Sequence, residues 1–472
     1  MLRSSRTLLL TLFATAALCV APGAAHAGIL IGAESNGELA NSFNTPADQA
    51  VALDKMQAMG VKVVRVNFAW NEIATGTSCP TASLAQLADN TNACYNWGLL
   101  DSLVTLTKAR RQSMLLSLTR VPSFVNHNAN PFWMGATEAD FQNVKVNYVA
   151  FMTAAGTRYN KSSSIGTIPY WTILNEPGSK DYWKPAPNVK RYAQIYGAAA
   201  PALRKAHSTA LIGVGPTGPR SRPIHPVPFI REFVKWAPKY LPGSMATKRS
   251  YINAWGHNPY PNATNPPRYK TPGAPVTSIG MSQMSRLFFE LDKSPLTKGV
   301  KVWAAEFGYE TAPEPVFRVS PAIQARYQIE AFHWLDSQKR VTIGINYGLT
   351  DPKQTYDWQS GMFYANGTKK PLFAAFQRMV SVPVPATDSL ARIKGDKFKR
   401  NAVIPIWGRS NLLPTKGVLA YRVSKTGVWK KVPGQKRSAD GTINAKMKLS
   451  APVMYFSLYD GQYGPMRVIK TR

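Results

Sequence analysis

Eight short apolar runs alternate with amphipathic stretches of helical length, and this alternation constrains the chain more than any other feature. The runs fall at residues 29–33, 61–68, 114–118, 169–174, 210–215, 252–255, 300–305 and 341–347. Their length and continuous apolarity fit strands buried on both faces. The intervening stretches, 47–59, 99–110, 138–159, 188–207, 228–240, 281–292, 321–339 and 372–379, read as helices. Right-handed crossovers place such helices outside a parallel sheet, and eight strand–helix units predict an α/β fold of the (β/α)8 TIM-barrel type. An open doubly wound sheet is the competing arrangement. The first run continues Gly32-Ala33-Glu34-Ser35-Asn36, with no Gly-rich phosphate loop, so nucleotide binding has little support.

The pattern changes past Val384, where short β-like runs at 402–407, 417–423, 445–449, 453–458 and 466–469 are separated by Gly, Asn, Asp and Pro turns. The expected organisation is a catalytic barrel over 28–384 and a small basic β-sandwich accessory domain over 385–472. Residues 386–472 hold 18 Lys and Arg against 4 Asp and Glu, within a full-chain net charge of +32. Such an excess attracts anionic polymers or an acidic cell envelope through long-range, nonspecific forces. It implies no specific nucleic-acid recognition.

Arg3 and Arg6 precede an apolar run from Leu8 to Val20 and the small-residue segment Ala25-His26-Ala27, the layout of a cleavable secretory signal over 1–27. A secreted, extracellular protein is expected, without a membrane span, because a spanning helix needs roughly 20 apolar residues. Cys19 lies inside the signal, leaving Cys79 and Cys94 in a chain bound for an oxidising compartment. A loop-closing disulfide is the favoured reading and two free thiols the alternative. No metal-type cluster of Cys and His accompanies them, so no metal site is expected.

The chemistry lies at two strand ends. The fourth run ends in Asn175-Glu176-Pro177 and the seventh in Glu306-Phe307-Gly308. In a barrel both carboxylates then sit on the C-terminal face, where active sites form, and strands four and seven aim at each other across the mouth. Two opposed carboxyl groups suit glycosidic cleavage: one protonates the leaving oxygen, and in a retaining enzyme the other, roughly 5–5.5 Å away, attacks the anomeric carbon. An Asn beside the acid, here Asn175, can hold a sugar 2-hydroxyl.

These residues resemble the retaining glycosidases of clan A, which include the cellulase-like family 5 and the family 39 enzymes; the resemblance covers about residues 28–380. It implies that Glu176 is the acid/base and Glu306 the nucleophile, with Asn175 binding substrate. Arg65, in Val-Val-Arg-Val-Asn on the second strand, is similar to the clan's Arg near the nucleophile, and His257 and Tyr260 in His-Asn-Pro-Tyr are similar to its His/Tyr element. A cation or phenol beside a nucleophilic carboxylate favours its charged form. An Arg on a strand also pairs with core acids, and a His-Pro-Tyr loop also packs. The chain departs from the clan at strand eight, where a Trp is usual and Asn346-Tyr347-Gly348 stands instead. Tyr347 or Trp358 is the expected substitute.

Indole faces stack on the apolar faces of pyranoses. Trp70 and Trp183, just past strand ends, are expected to be exposed to sugar, and Trp171 and Trp303 to pack. Glu34 and Glu72 are open to either substrate contact or solvation. The leading reading is a secreted retaining glycoside hydrolase acting on a polysaccharide or oligosaccharide, with no cofactor. The alternatives are a catalytically silent carbohydrate- or envelope-binding protein and a transglycosylase using the same covalent intermediate.

Overall fold

The computed structural model describes residues 28–262, 264–270, 273–354, 357–382 and 397–471. The expected signal segment 1–27 lies outside the described residues. Strands β1 (Leu30–Glu34), β2 (Val63–Ala69), β3 (Ser113–Thr119), β4 (Tyr170–Ile173), β5 (Leu211–Thr217), β6 (Ala254–His257), β7 (Lys301–Phe307) and β8 (Val341–Tyr347) form a closed barrel in sequential order. Closure comes from β8 pairing in parallel with β1, Glu34 standing opposite Tyr347. All eight expected runs supply a strand, and the fold is the (β/α)8 barrel.

Helices cover the outside. Pro46–Ala58 and Glu138–Arg158 each start on a capping box, Thr45 with Asp48 and Thr137 with Asp140, which satisfies end N–H groups from both directions. Inside the barrel Val63, Leu115, Ala254, Trp303, Ile343 and Ile345 form a separate apolar plug, so the centre is packed and the site must lie above it. Trp303 fits because Gly213 has no side chain: a Cβ there would lie 2.7 Å from the indole. Cys79 and Cys94 form the expected disulfide, with Cα atoms 4.7 Å apart. Among the described residues no helix is long and apolar enough to cross a membrane.

The C-terminal region forms two sheets. One is ordered β10 (Lys397–Phe398), β17 (Arg467–Thr471), β16 (Val453–Tyr459), β12 (Val418–Arg422), β13 (Lys430–Lys431); the other is β14 (Lys436–Arg437), β15 (Ile443–Lys448), β11 (Val403–Ser410), β9 (Arg378–Ser381). Their facing apolar residues, among them Ile404, Ile406, Leu419, Phe456 and Leu458, make a second core. The sandwich begins earlier than its turn-rich sequence indicates. The eighth helix stops at Gln377, and Arg378 and Met379, expected to be helical, pair with Ser410 and Arg409 of β11. Short apolar runs do not distinguish helix from buried strand by periodicity, and an ion pair with Asp460 at 2.6 Å holds Arg378 at the start of β9.

This domain is bolted to the barrel at the N-terminal end of β1. The Trp407 indole donates to Asp336 (3.0 Å) and stacks on His333 at 5.1 Å, while Asp336 also accepts from the Ile29 N–H. Arg409 donates to the Ile29 carbonyl and Asn411 to that of Phe376. Trp407 belongs to the barrel's own core cluster. Truncating it therefore opens a cavity and removes the indole donor to Asp336 together: Trp407→Ala is expected to lose about 3–5 kcal/mol of stability in a denaturant titration. A loss under about 1 kcal/mol would mean that the two cores are independent.

Candidate active site

The site is built from the C-terminal strand ends. At the end of β4 the chain turns sharply, Leu174 and Glu176 both taking positive φ (61° and 38°). Bulky residues pay strain there, and such outliers persist only where neighbours fix them. Here the Ser179 N–H closes on the Glu176 carbonyl at 2.8 Å, and the β5 loop crowds in at Gly218, where a Cβ would stand 2.7 Å from the Glu176 carboxyl. The carboxyl is thereby aimed inward. Oε1 accepts from Asn258 Nδ2 (2.7 Å) and Oε2 from the Ser221 hydroxyl (3.5 Å). Burial first, then the charge of Glu306, pushes Glu176 up to about 7.

Glu306, the penultimate residue of β7, is buried and accepts from the Arg65 guanidinium and, at 3.2 Å, from the Tyr260 hydroxyl. Arg65 has no exposed surface. Its Nη1 donates to both Glu306 and Glu34, and its Nη2 to Asn175 Oδ1 (2.9 Å) and Asn67 Oδ1 (3.2 Å). Glu34 also accepts from Asn36 (2.6 Å) and Asn67 (3.2 Å). One cation thus serves two buried carboxyl groups, and they cannot both ionise cheaply. Burial, opposed by Arg65 and reinforced by Glu306, pushes Glu34 up to about 8.

Above Glu306 stands an aromatic wall. Tyr260 lies 4.8 Å from Trp358 and 6.1 Å from Tyr347, and Trp358 lies 5.9 Å from Tyr347, ring centre to ring centre. Beside it opens a cavity of about 260 Å³ whose lining includes Arg220, Tyr260, Asn262, Glu310, Phe317 and Trp358.

Two carboxyl groups thus stand at the ends of β4 and β7, Arg65 holding Glu306 directly and also holding Asn175, the neighbour of Glu176. The model of the cellulase family, glycosyl hydrolase family 5, matches residues 30–329. The chain belongs to that family. It is a glycoside hydrolase of clan A, and its substrate is a carbohydrate. Similar in fold are a family 39 glycoside hydrolase from the gut symbiont Bacteroides cellulosilyticus WH2 (TM-score 0.55, 14% identity, 90% of this chain and 80% of that one) and a glucosidase from Croceicoccus marinus (0.54, 12%, 89% and 93%). A family 39 enzyme from Xanthomonas axonopodis pv. citri is another (0.52, 15%, 90% and 92%). No curated protein matches by sequence.

The hydrolase brings together Glu176, Glu306, Asn175, Arg65, Tyr260, Tyr347 and Trp358, and corrects three other expectations. His257 is fully buried: its Nε2 donates to the Ile279 carbonyl (3.0 Å), so its Nδ1 accepts from the Thr217 hydroxyl (2.8 Å), and burial pushes it down to about 4. With both nitrogens used it braces the end of β6, and the next residue, Asn258, enters the site. Trp70 and Trp183 are buried, not exposed. Trp70 opens a one-turn helix that turns its ring onto Phe151 (5.0 Å, nearly parallel), and Trp183 packs against Tyr192.

Sequence reasoning missed Tyr182, Asn258, Ser221 and Asn67, and left Glu34 open. Tyr182, adjacent to Trp183, is 36% exposed, and the charges of Glu306, Glu176 and Glu34 act on its phenol. Asn67 follows Arg65 by two in β2 and so shares its inward face, a period-two signal present in the sequence. Glu72 sits away from the network, pairing with Arg120 at 3.4 Å.

Proposed function

We propose that the hydrolase cleaves a polysaccharide or oligosaccharide with retention, Glu306 as nucleophile and Glu176 as acid/base. The observation that carries this reading is the asymmetry of the two carboxyl groups: Glu306 faces a guanidinium and a phenol donor, whereas Glu176 faces two neutral donors and is raised to about 7. A group that donates a proton near neutral pH needs a pKa close to that pH. In the first step Glu306 attacks the anomeric carbon while Glu176 gives its proton to the departing oxygen. In the second, Glu176 takes a proton from water, and the hydroxide displaces Glu306. Asn175 supports the sugar position: Arg65 holds its Oδ1, leaving its buried Nδ2 without a partner and available to a sugar hydroxyl. Trp358, Tyr347 and the half-exposed Tyr182 offer rings to pyranose faces.

The pH profile tests the assignment. Activity in kcat/KM should fall as pH rises through about 7, where Glu176 loses its proton. The hydrogen bond from Asn258 favours the charged form and lowers this value, so Asn258→Ala should move the alkaline limb upward. A limb that stays in place would remove Glu176 from the acid role.

Arg3, Arg6, the apolar run and Ala25-His26-Ala27 support secretion, and the basic 386–472 segment supports attraction to anionic polymers outside the cell. At roughly 0.15 M ionic strength charges are screened within about 8 Å. Retention on an anionic polysaccharide should therefore drop several-fold between low salt and about 1 M. Retention that is equal at both would point to sugar pockets rather than charge.

A further inference from the structure

The β8 loop, which carries Trp358, is held from beneath by a buried cation. Lys370, at the start of the last barrel helix, is 2% exposed, and its Nζ donates to three oxygens: Asp351 Oδ2 (2.6 Å), Thr311 Oγ1 (2.8 Å) and the Gln359 carbonyl (3.1 Å). Asp351, Thr311 and Gln359 are buried as well. Asp351 also accepts from the Gly361 N–H at 2.9 Å, a closeness that needs glycine, since a Cβ there would lie 2.7 Å from the Asp351 nitrogen.

Gln359, the residue after Trp358, joins two loops. Its N–H donates to Glu310 (3.2 Å) and its carbonyl accepts from the Thr311 N–H (3.1 Å), both on the β7 loop just past Glu306. Its side-chain amide donates to the carbonyls of Pro352, Gln354 and Asp357, so one buried group pins the loop at several points. Buried ion pairs are costly relative to apolar packing, and fixing one geometry is the attested use for keeping them. Here the geometry fixed is that of Trp358, which leaves the network to pack at a tilt against Tyr260, the donor to Glu306.

We propose that Lys370, Asp351 and Gln359 are positioning residues that hold Trp358 in the wall of the substrate cavity. The proposal rests on the catalytic reading above only in taking that cavity to receive sugar. Two variants test it: Asp351→Asn/Lys370→Met, which removes both charges and leaves neither unpaired, and Gln359→Ala, which keeps the ion pair. Each is compared with and without Trp358→Phe, so that the difference isolates the Trp358 fluorescence. Acrylamide quenching of that fluorescence should rise in either folded variant. Quenching equal to that of the wild type in Gln359→Ala would overturn the proposal. With p-nitrophenyl cellobioside as probe, KM should rise about tenfold with kcat within about twofold. Trp358→Phe should give the same rise alone and add little to Gln359→Ala. Additive effects, or a loss confined to kcat, would also overturn it. Failure of the catalytic reading shows separately, as Glu306→Ala remaining active, and the quenching comparison needs no turnover.

Discussion

Glu306→Ala is expected to lower kcat by about 10⁴-fold or more, the scale at which loss of a covalent nucleophile registers. The variant should fold, because Arg65 keeps Glu34 as its counter-ion. It also leaves a space beside the anomeric carbon, so added azide should restore turnover and give a glycosyl azide of inverted configuration. Glu176→Ala should behave differently. It removes proton donation, which an activated aryl leaving group does not need, so the first step survives on such substrates while hydrolysis of the intermediate slows. Equal residual activity of the two variants on an aryl glycoside would contradict the division of roles. Full activity of Glu306→Ala would contradict the mechanism altogether.

Arg65→Met is expected to cost the fold about 3–5 kcal/mol, because it leaves Glu34 and Glu306 buried without their cation. Arg65→Lys should recover only part of it. An ammonium is a compact point charge, whereas the guanidinium spreads Nη1 over two carboxyl groups and Nη2 over two amides. The penalty should shrink on acidification. Glu34 is already raised to about 8 by burial, and once protonated it presents no uncompensated charge. Guanidinium titrations of the three proteins at two pH values would check this. A methionine variant within about 1 kcal/mol of the wild type would show that the cation is not what makes burying these acids possible.

Much of this was legible in the sequence because a parallel barrel writes its strands as continuous apolar runs and its chemistry at their C-terminal ends. Glu176 just past β4 and Glu306 near the end of β7 are placed by position alone, and Tyr347 closes β8 opposite Glu34. What the sequence hid was set by loops. Trp70 and Trp183 stand just past strand ends, as mouth residues do, yet a short helix and a loop fold them inward, whereas Tyr182 stays exposed and lines a cleft with Asn175. The His-Asn-Pro-Tyr segment shows the same one-residue ambiguity. Its His pairs downward with Thr217 and Ile279, and its Asn reaches Glu176. The start of the sandwich at Arg378 was obscured for another reason. Met379 and Val380 of β9 continue the apolar pattern of the preceding helix, and only pairing with β11 decides their state.

The central claim is that a sugar becomes covalently attached to Glu306. The most direct measurement is intact-protein mass spectrometry of Glu176→Gln mixed with an activated aryl glycoside, followed by fragmentation. In that variant the first step needs no acid and the second lacks its base, so the glycosyl-enzyme should accumulate. The account predicts a mass increase of one glycosyl unit, located on Glu306. Aryl release with no adduct, or an adduct on any other residue, would contradict it.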